Sequence, residues 1–298
     1  MSAVTEAVSQ RMTLGDLVTD HGFDLVPSYA GDVTITALAD DVASVTPGAM
    51  YVPCQQVSLA DINEACENGA YSALLPLAMK PQLVKHGKSL VDMPLMFADI
   101  TRAQLARIAS TMAGNPSDAL AVFALTGPDA ALLEHEVSEV ARFLHMLGNP
   151  VGVINANDSQ LLERFLDLSY PVDVLSMQRA IAVCAEDGAA ALIVTMNDDT
   201  LQEDALQSVA VDVIACDGIP EPDRAQEFME ITAEKYGCAI SKQTRFVLRT
   251  EESDTLALQS GVEPALVRPL SFAIAIGLAV GVRKNSIRSA LRVTREFH

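Results

Sequence analysis

Short apolar runs alternate with helical patterns in the part of the chain that follows residue 119. The runs are continuous and short, which is typical of strands buried on both faces of a sheet. Between them, apolar residues recur every three or four positions, as on one face of a helix. This alternation predicts a mostly parallel sheet covered by helices on both faces. The predicted strands are residues 120–125, 151–154, 172–175, 190–194, 211–215 and 246–248.

Shorter elements precede this region, so we predict a small α/β domain over residues 1–117 and a second domain over residues 118–298. The first domain has predicted helices at 13–18, 61–68 and 101–112 and predicted strands at 32–38, 50–53 and 73–76. The longest apolar stretch, residues 270–282, has 13 residues. Because about 20 are needed to span a bilayer, it predicts a buried helix in which Gly277 and Gly281 permit close packing.

A tight turn joins the strand at 120–125 to a helix that is predicted from Asp129 to Gly148. A phosphate-binding loop at such a turn reads G-x-x-x-x-G-K-[ST], because glycines admit the phosphates, the lysine neutralises them and the hydroxyl ligates magnesium. The final glycine, lysine and hydroxyl are absent here. The turn reads Thr126, Gly127, Pro128, Asp129, Ala130, Ala131, Leu132 and Leu133.

With this turn, the chain resembles the Mur ligases, which use ATP to add amino acids to UDP-N-acetylmuramic acid in peptidoglycan synthesis. It is most similar to the branch that adds the third residue, UDP-N-acetylmuramyl-tripeptide synthetase. The family turn reads T-G-T-N-G-K-T-T, of which this chain keeps Thr126 and Gly127. Further similar segments follow in family order at residues 14–18, 35–41, 45–52, 65–70 and 114–117.

The resemblance implies a fold and a division of labour. It implies a small UDP-binding α/β domain, then a shortened P-loop-ATPase-like central domain, with the third domain of the ligases absent. Near the end of the chain, Thr294, Arg295 and Glu296 stand where the family has G-R-x-E.

The residues that bind ligands in the family are replaced here. Val42 and Ala43 stand where the family has the S-R of D-S-R, after Asp40 and Asp41, and residues 55–61 replace the G-x-x-x-D-G-H loop. The other replacements lie in the second domain. Thr195 replaces the magnesium-binding glutamate of the family, and Asp199 replaces its histidine. Residues 216–218 replace the T-N-L segment, and residues near Glu221 and Pro222 replace the D-H pair. Lys235 is the nearest lysine to the position of the carbamylated one, and Arg268 and Ser271 replace N-x-x-N.

Asp129 begins a helix, where a carboxylate caps free N–H groups and occupies the place of a bound phosphate. We therefore predict that the turn carries its own anion. Glu134, Glu136 and Glu139 follow on the same helix. Two interpretations of these glutamates are open. They are ordinary solvated charges of the helix, or they add a negative electrostatic potential where ATP would need a positive potential.

Charge and composition exclude some partners. The net charge of −19 argues against nucleic acid or an anionic membrane surface, which need basic residues. Five scattered cysteines predict reduced thiols, and no signal peptide is recognised, so we expect a cytoplasmic protein without membrane insertion.

No convincing catalytic or metal site emerges. His135 and Glu139 are predicted to form an exposed ion pair, because a third metal ligand is missing nearby. Asp198 and Asp199 are either ligands of a hard cation or solvated turn residues. Lys235 is predicted to be a surface charge and Cys184 a core residue without a lowered pKa.

These replacements predict a catalytically inactive Mur-ligase-like protein without cofactor or metal. Its expected role is that of a binding, scaffold or regulatory module, with a protein partner from cell-wall synthesis or cell division. Two alternatives stay open. One is an ATP-independent sensor that binds a UDP-muramyl peptide, with a weak UDP-sugar ligand. The other is a ligase subunit completed by another chain.

Overall fold

The computed structural model describes residues 11–54, 57–85, 88–156, 158–162 and 164–296, without the side chains of residues 293–296. The chain folds into two compact units. We call Val8–Asn115 the N-terminal unit and Pro116–His298 the C-terminal unit.

The N-terminal unit is built around a five-stranded sheet with the strand order β2-β9-β6-β5-β4. Strands β4, β5, β6 and β9 are parallel, and β2 pairs antiparallel with β9 at one edge. The elements are β1 (Met12–Thr13), α1 (Leu14–His21), β2 (Asp24–Val26), β3 (Thr34–Ile35), β4 (Ala37–Ala39), β5 (Ala49–Tyr51), α2 (Leu59–Glu67), β6 (Ser72–Leu75), α3 (Lys80–Leu83), β7 (Val84–Lys85), β8 (Lys88–Ser89), β9 (Leu95–Phe97) and α4 (Arg102–Met112).

Local side-chain caps fix where the helices of this unit begin. Thr13, Ser58 and Thr101 each form a capping box at the start of α1, α2 and α4, in which the hydroxyl accepts the N–H of the third helical residue. A cap satisfies an N–H group that would otherwise lack a partner. The predicted helix 61–68 therefore starts earlier, directly after Ser58.

The predicted strand 32–38 is wrong as one continuous element. Its first residue, Asp32, ends a short 3₁₀ helix, Ser28–Asp32, and later residues are divided between β3 and β4. Strand β3 pairs antiparallel with β1, whereas β4 pairs parallel with β5. Two different partners on either side of Thr36 require a break in the strand.

The C-terminal unit contains a seven-stranded sheet with the order β13-β12-β11-β14-β10-β15-β16. The neighbouring strands β11, β14, β10, β15 and β16 are parallel. Strands β12 and β13 pair antiparallel at the edge next to β11. The elements are β10 (Ala121–Thr126), α5 (Ala130–Met146), β11 (Val151–Ile154), β12 (Gln160–Leu161), β13 (Arg164–Phe165), α6 (Val174–Glu186), β14 (Ala191–Thr195), β15 (Val213–Cys216), α7 (Pro222–Lys235), β16 (Arg245–Val247), α8 (Glu251–Ser260), α9 (Pro264–Ala279) and α10 (Lys284–Glu296).

Helices cover both faces of this sheet, as the apolar runs predict. In β10, Val122 and Ala124 belong to a core that includes α6 and α7. The alternate residues Phe123 and Leu125 belong to a second core with α5, α8, α9 and α10. Because strand side chains alternate between faces, a run that is apolar throughout serves both cores.

The predicted strand 172–175 is wrong. Val172 forms only an isolated parallel bridge with Leu201, and α6 begins at Val174. Asp173 caps this helix, since its Oδ1 accepts the N–H groups of Leu175 and Ser176 at 2.8 and 3.0 Å. The cap outweighs the apolar run that predicts a strand.

The apolar stretch near residue 270 lies in the buried helix α9, which starts at Pro264, before the predicted start. Gly277 packs closely on α5, because an added Cβ would lie 2.9 Å from Cε1 of Phe143. Gly281 has no neighbour within 4 Å and a φ of +90°, so its predicted packing role is wrong and its backbone conformation is what requires glycine. Among the described helices, none is long and apolar enough to cross a membrane.

Candidate functional site

Side chains of the turn after β10 hydrogen-bond to the backbone around them. Thr126, the last residue of the strand, donates its hydroxyl hydrogen bond to the carbonyl of Met196 at 3.2 Å. Asp129 caps α5, and its Oδ1 accepts the N–H groups of Ala131 and Leu132 at 3.0 and 3.1 Å. The predicted cap is confirmed, and a carboxylate occupies the positive end of this helix.

A second loop packs directly against this turn. Strand β15 lies beside β10, and Asp217 and Gly218 follow it at the same edge of the sheet. A Cβ on Gly127 would lie 3.1 Å from the carbonyl oxygen of Asp217, and one on Gly218 would lie 3.4 Å from the ring of Pro128. The two loops are therefore in close contact, and a side chain at Gly127 would require the backbone of Asp217 to shift by a few tenths of an ångström.

The carboxylate of Asp217 is the centre of the site. Its side chain is only 10% exposed. Its Oδ2 accepts a hydrogen bond from Nε of Arg268 at 2.8 Å and lies 3.1 Å from Nε of Arg249. Its Oδ1 accepts the N–H of Gly218 at 2.8 Å. Two guanidinium groups and a backbone N–H thus hold one buried anion beside the turn.

The pKa of Asp217 is lowered despite its burial. Burial alone acts to raise the pKa, but the hydrogen bonds from Arg268, Glu136 and Gly218 and the charge of Arg249 lower it below the usual range. Asp217 is consequently a carboxylate at neutral pH. Its charge is matched within the site by the two arginines.

Glu136 is the second acidic group at this centre, and it contradicts the interpretation of the α5 glutamates as solvated charges. Its residue is 1% exposed, and Glu139 is also buried, whereas Glu134 is exposed. Burial, with a hydrogen bond to Asp217 and the negative charge there, raises the pKa of Glu136 to about 9. Glu136 is therefore protonated at neutral pH and can donate to Asp217.

The network continues into α8 and α9. Nη1 of Arg249 donates to Oδ1 of Asp254 at 3.1 Å, and the hydroxyl of Ser271 donates to the same oxygen at 2.5 Å. Ser271 and Ser253 share a hydrogen bond at 2.8 Å. Three positions that the sequence marks as replaced, the turn, residues 216–218 and the pair Arg268 and Ser271, thus meet in one place.

This arrangement can hold an anion, and it already holds one. Arg249 and Arg268 both contact carboxylates, and Glu136 contributes no positive charge. A phosphate group that entered here would have to displace Asp217 from both arginines and would meet the carboxylate of Asp129. The turn has no lysine in compensation, and its hydroxyl, that of Thr126, already donates to the carbonyl of Met196.

Among the other replaced positions of the C-terminal unit, Thr195 adjoins the turn, because it pairs with Leu125 and the next residue, Met196, accepts the hydroxyl hydrogen bond of Thr126. Thr195 ends β14 and is buried. Asp198 forms an ion pair with Lys235, accepts a hydrogen bond from the hydroxyl of Tyr236 at 2.6 Å, and has a pKa lowered first by Lys235 and then by Tyr236. Lys235 is exposed, which confirms its prediction as a surface charge, and it pairs with Asp198. Among the described residues, no group of three or more His, Cys, Asp or Glu could hold a metal ion.

The predicted ion pair of His135 and Glu139 is wrong. Glu139 instead accepts two hydrogen bonds from Arg142, at 2.9 Å from Nε and 2.6 Å from Nη2, because its side chain is turned to the buried side of α5. The prediction for Cys184 is confirmed, since the thiol is fully buried and burial raises its pKa to about 12. Cys216 and Cys238 are also buried.

The replaced positions of the N-terminal unit follow β4 and β5. Asp41 accepts the N–H of Ser44 at 2.7 Å in the turn that contains Val42 and Ala43. In the predicted loop 55–61, Gln55 and Gln56 lie outside the described residues, and Ser58 caps α2. Of Thr294, Arg295 and Glu296 the structure gives the helical backbone, and their side chains lie outside the description.

Sequence comparison identifies no relative, because neither a protein-family model nor a curated protein matches the chain. Solved structures do match it. One crystal structure of MurF from Acinetobacter baumannii aligns at a TM-score of 0.55 and 12% identity over 95% of this chain and 68% of that one. A second MurF crystal structure from this organism aligns at 0.54 and 11% identity over 95% and 67%. The chain has a Mur-ligase-like fold.

A third structure supports the same fold. The UDP-N-acetylmuramoylalanyl-D-glutamyl-2,6-diaminopimelate--D-alanyl-D-alanyl ligase from Acinetobacter baumannii aligns at a TM-score of 0.54 and 11% identity over 96% of this chain and 69% of that one. The Mur-ligase-like chain thus spans about two thirds of the length of these structures. The predicted α/β fold class is confirmed. At this identity the likeness concerns the fold, so the tripeptide-synthetase branch stays a prediction.

Proposed function

We propose that this chain is a Mur-ligase-like protein that does not use ATP and that acts as a binding, scaffold or regulatory module. We place it in the cytoplasm, in peptidoglycan synthesis or cell division, on the strength of its fold. In this proposal it has no cofactor, no metal ion and no catalytic residue. The residues that line its altered nucleotide turn serve the stability of the fold.

One observation supports the proposal: carboxylates of the chain itself occupy the place at the start of α5 where an anion would bind. Asp129 accepts the free N–H groups of the helix. Asp217 accepts from Arg268 and Gly218 beside it. Helix N-termini and arginines are the groups that bind phosphates in proteins. Here the same kinds of group are satisfied by carboxylates of the chain itself.

A thermal-shift experiment with ATP and Mg²⁺ tests the loss of nucleotide binding. A ligand at about 100 times its dissociation constant stabilises a protein by about 2.7 kcal/mol, which raises Tm by several degrees in a domain of this size. We expect no measurable rise in Tm for this chain. MurF from Acinetobacter baumannii, measured in the same buffer, is the positive control. A rise of several degrees in this chain would contradict the proposal.

Two further measurements separate the proposal from its alternatives. A sensor of UDP-muramyl peptides predicts saturable heat on calorimetric titration with UDP-N-acetylmuramyl tripeptide, whereas we expect a flat titration. A ligase completed by another chain predicts ATP hydrolysis by the complex purified from the native cell, whereas we expect a complex without it. The module proposal predicts co-purification of proteins from cell-wall synthesis or division.

A further inference from the structure

A groove crosses the N-terminal unit at the edge where strands β6 and β9 begin. Its main part has a volume of about 840 Å³, and an adjoining part of about 430 Å³ shares part of its lining. Pro27 follows β2, Pro94 precedes β9 and Tyr71 precedes β6. Since β2 is antiparallel to β9, all three residues lie at one edge of the sheet.

This edge is opposite to the one that carries the replaced positions of the N-terminal unit. Residues 40–43 follow β4, and residues 55–61 come after β5. Strands β4, β5, β6 and β9 are parallel, so the ends of β4 and β5 and the starts of β6 and β9 face opposite sides. The groove is therefore a separate surface from the altered ligand positions.

Two tyrosines line the groove and are strongly exposed. Tyr29 is 86% exposed and Tyr71 is 51% exposed, whereas Val91 and Met93 in the lining are buried. Tyrosine supplies a large apolar area at a small cost in conformational entropy, and it is enriched at sites of protein binding. An exposed aromatic beside a preformed groove is thus suited to contact a partner. We call this surface the tyrosine groove.

The prolines and charged residues that line the groove indicate the chemistry of the segment that it would bind. Pro27 and Pro94 have no N–H group to donate, so this part of the groove cannot pair fully with an added β-strand. A polyproline II segment needs no such pairing, and its proline rings pack against aromatic side chains. Asp32 and Asp92 are exposed in the lining, with Lys88 as the positive group beside them. Two carboxylates to one ammonium favour a basic ligand.

We propose that the tyrosine groove binds an extended, proline-containing and basic segment of a partner protein. This inference rests on the proposed function as a protein-binding module and states the chemistry of the partner. The rings of Tyr29 and Tyr71 contact prolines of the segment. Asp32 and Asp92 attract its basic side chains.

Fluorescence anisotropy of the full chain with labelled peptides tests this proposal. The probe is a peptide of about ten residues, prolines with an arginine at each end, which spans roughly 31 Å as polyproline II. We expect saturable binding that weakens at least about tenfold in Tyr29→Ala and in Tyr71→Ala, as for aromatic residues that dominate an interface. In the double variant Asp32→Asn and Asp92→Asn, binding also weakens and loses its dependence on salt.

Matched controls separate binding from folding and from general stickiness. Phe165→Ala removes another strongly exposed ring, 73% exposed in the C-terminal unit, and should leave the affinity unchanged. Because Tyr29 is so exposed, Tyr29→Ala should keep the wild-type melting temperature. A peptide with glutamates in place of the arginines, and one with glycine and serine in place of the prolines, should both bind at least about tenfold more weakly than the probe.

Several outcomes would overturn the inference. It fails if the probe does not bind, if both tyrosine variants bind it as the wild type does, or if the control peptides bind equally well. Self-association in ultracentrifugation that is lost in Tyr29→Ala would assign the groove to a second copy of the chain instead. The result is independent of the ATP test, because ATP binding would overturn the proposed function while leaving peptide binding to be judged by these variants.

Discussion

At the scale of single residues, the buried carboxyl group of Glu136 on α5 is the feature that distinguishes the site beside the turn. Glu136 lies three residues after Leu133 and four before Val140, which are both fully packed in the core. The helical period of the apolar residues therefore places Glu136 on the buried face. The burial of this glutamate could be predicted from the sequence. Its partners could not, because Asp217, Arg249 and Arg268 come from distant segments.

Glu136 makes the stability of the C-terminal unit depend on pH in an unusual direction. In the folded state the pKa of Glu136, about 9, exceeds the ordinary glutamate value of 4.5, so between these pH values the folded state holds a proton that the unfolded state has lost. Stability then falls as pH rises, by at most about 1.4 kcal/mol per pH unit. Glu136→Gln removes this dependence and keeps a hydrogen-bond donor for Asp217. We expect the variant to gain stability over the wild type as pH rises from about 5.5 to 8.

Urea denaturation of the two proteins at both pH values measures this difference. Asp217→Asn is the control at the same centre. Its carboxylate contributes stability above its unfolded pKa, and the substitution leaves two arginines without their shared partner. We expect a loss of about 3 kcal/mol at neutral pH, as when one member of a buried ion pair is removed. A constant difference between Glu136→Gln and wild type at all pH values would show that Glu136 is ionised in the fold.

At the scale of elements, the sequence predicts type and order better than it predicts boundaries. The apolar runs that become β10, β11, β14 and β15 are buried strands, because each passes between two layers of helices, whereas β16 lies at the edge of the sheet with Val247 as its buried residue. The run at 172–175 has similar composition, yet a single cap at Asp173 turns it into the start of α6. The break at Thr36 has a different origin, since it depends on pairing with β1, which is distant from β5 in sequence.

The contact of α5 and α9 gives a prediction at this scale. In Gly277→Ala, the new Cβ would lie 2.9 Å from Cε1 of Phe143, whose side chain is fully buried. Overpacking of this kind costs about 1–3 kcal/mol, offset by about 1 kcal/mol from the better helix propensity of alanine. We expect a net loss of about 1 kcal/mol in the free energy of unfolding. Chemical denaturation measures it.

A double-mutant cycle assigns that loss to the contact with Phe143. Phe143→Leu shortens the opposing side chain and makes room for the added methyl group. In this background Gly277→Ala should cost nothing or stabilise, so that the two substitutions interact by about 1–2 kcal/mol. Additive effects would mean that Gly277 acts through the helix backbone and not through the contact with α5.

At the scale of the whole molecule, fold and site differ in how far the sequence determines them. The parallel sheet follows from apolar runs, and the resemblance of the turn to the Mur ligases leads to the fold that the solved structures share. The tyrosine groove has no signal in the sequence. Tyr29 and Tyr71 are 42 positions apart, and their segments reach one edge because β2 pairs antiparallel and β6 pairs parallel with β9.

The C-terminal unit begins at Pro116. Both of its cores contain residues from 120 to 291 alone, so a fragment of residues 116–298 has the apolar contacts to fold by itself. Pro116 and Ser117 are buried, and Oγ of Ser117 accepts the N–H of Ala210 at 3.1 Å. A fragment that starts at residue 118 loses this acceptor and leaves a backbone N–H without its partner, at a cost of about 1–3 kcal/mol.

We expect dispersed amide spectra and cooperative melting for the longer fragment and a Tm lower by several degrees for the shorter one. Equal melting of both would place the boundary at residue 118, and collapsed spectra for the longer fragment would mean that this unit cannot fold without residues 1–115.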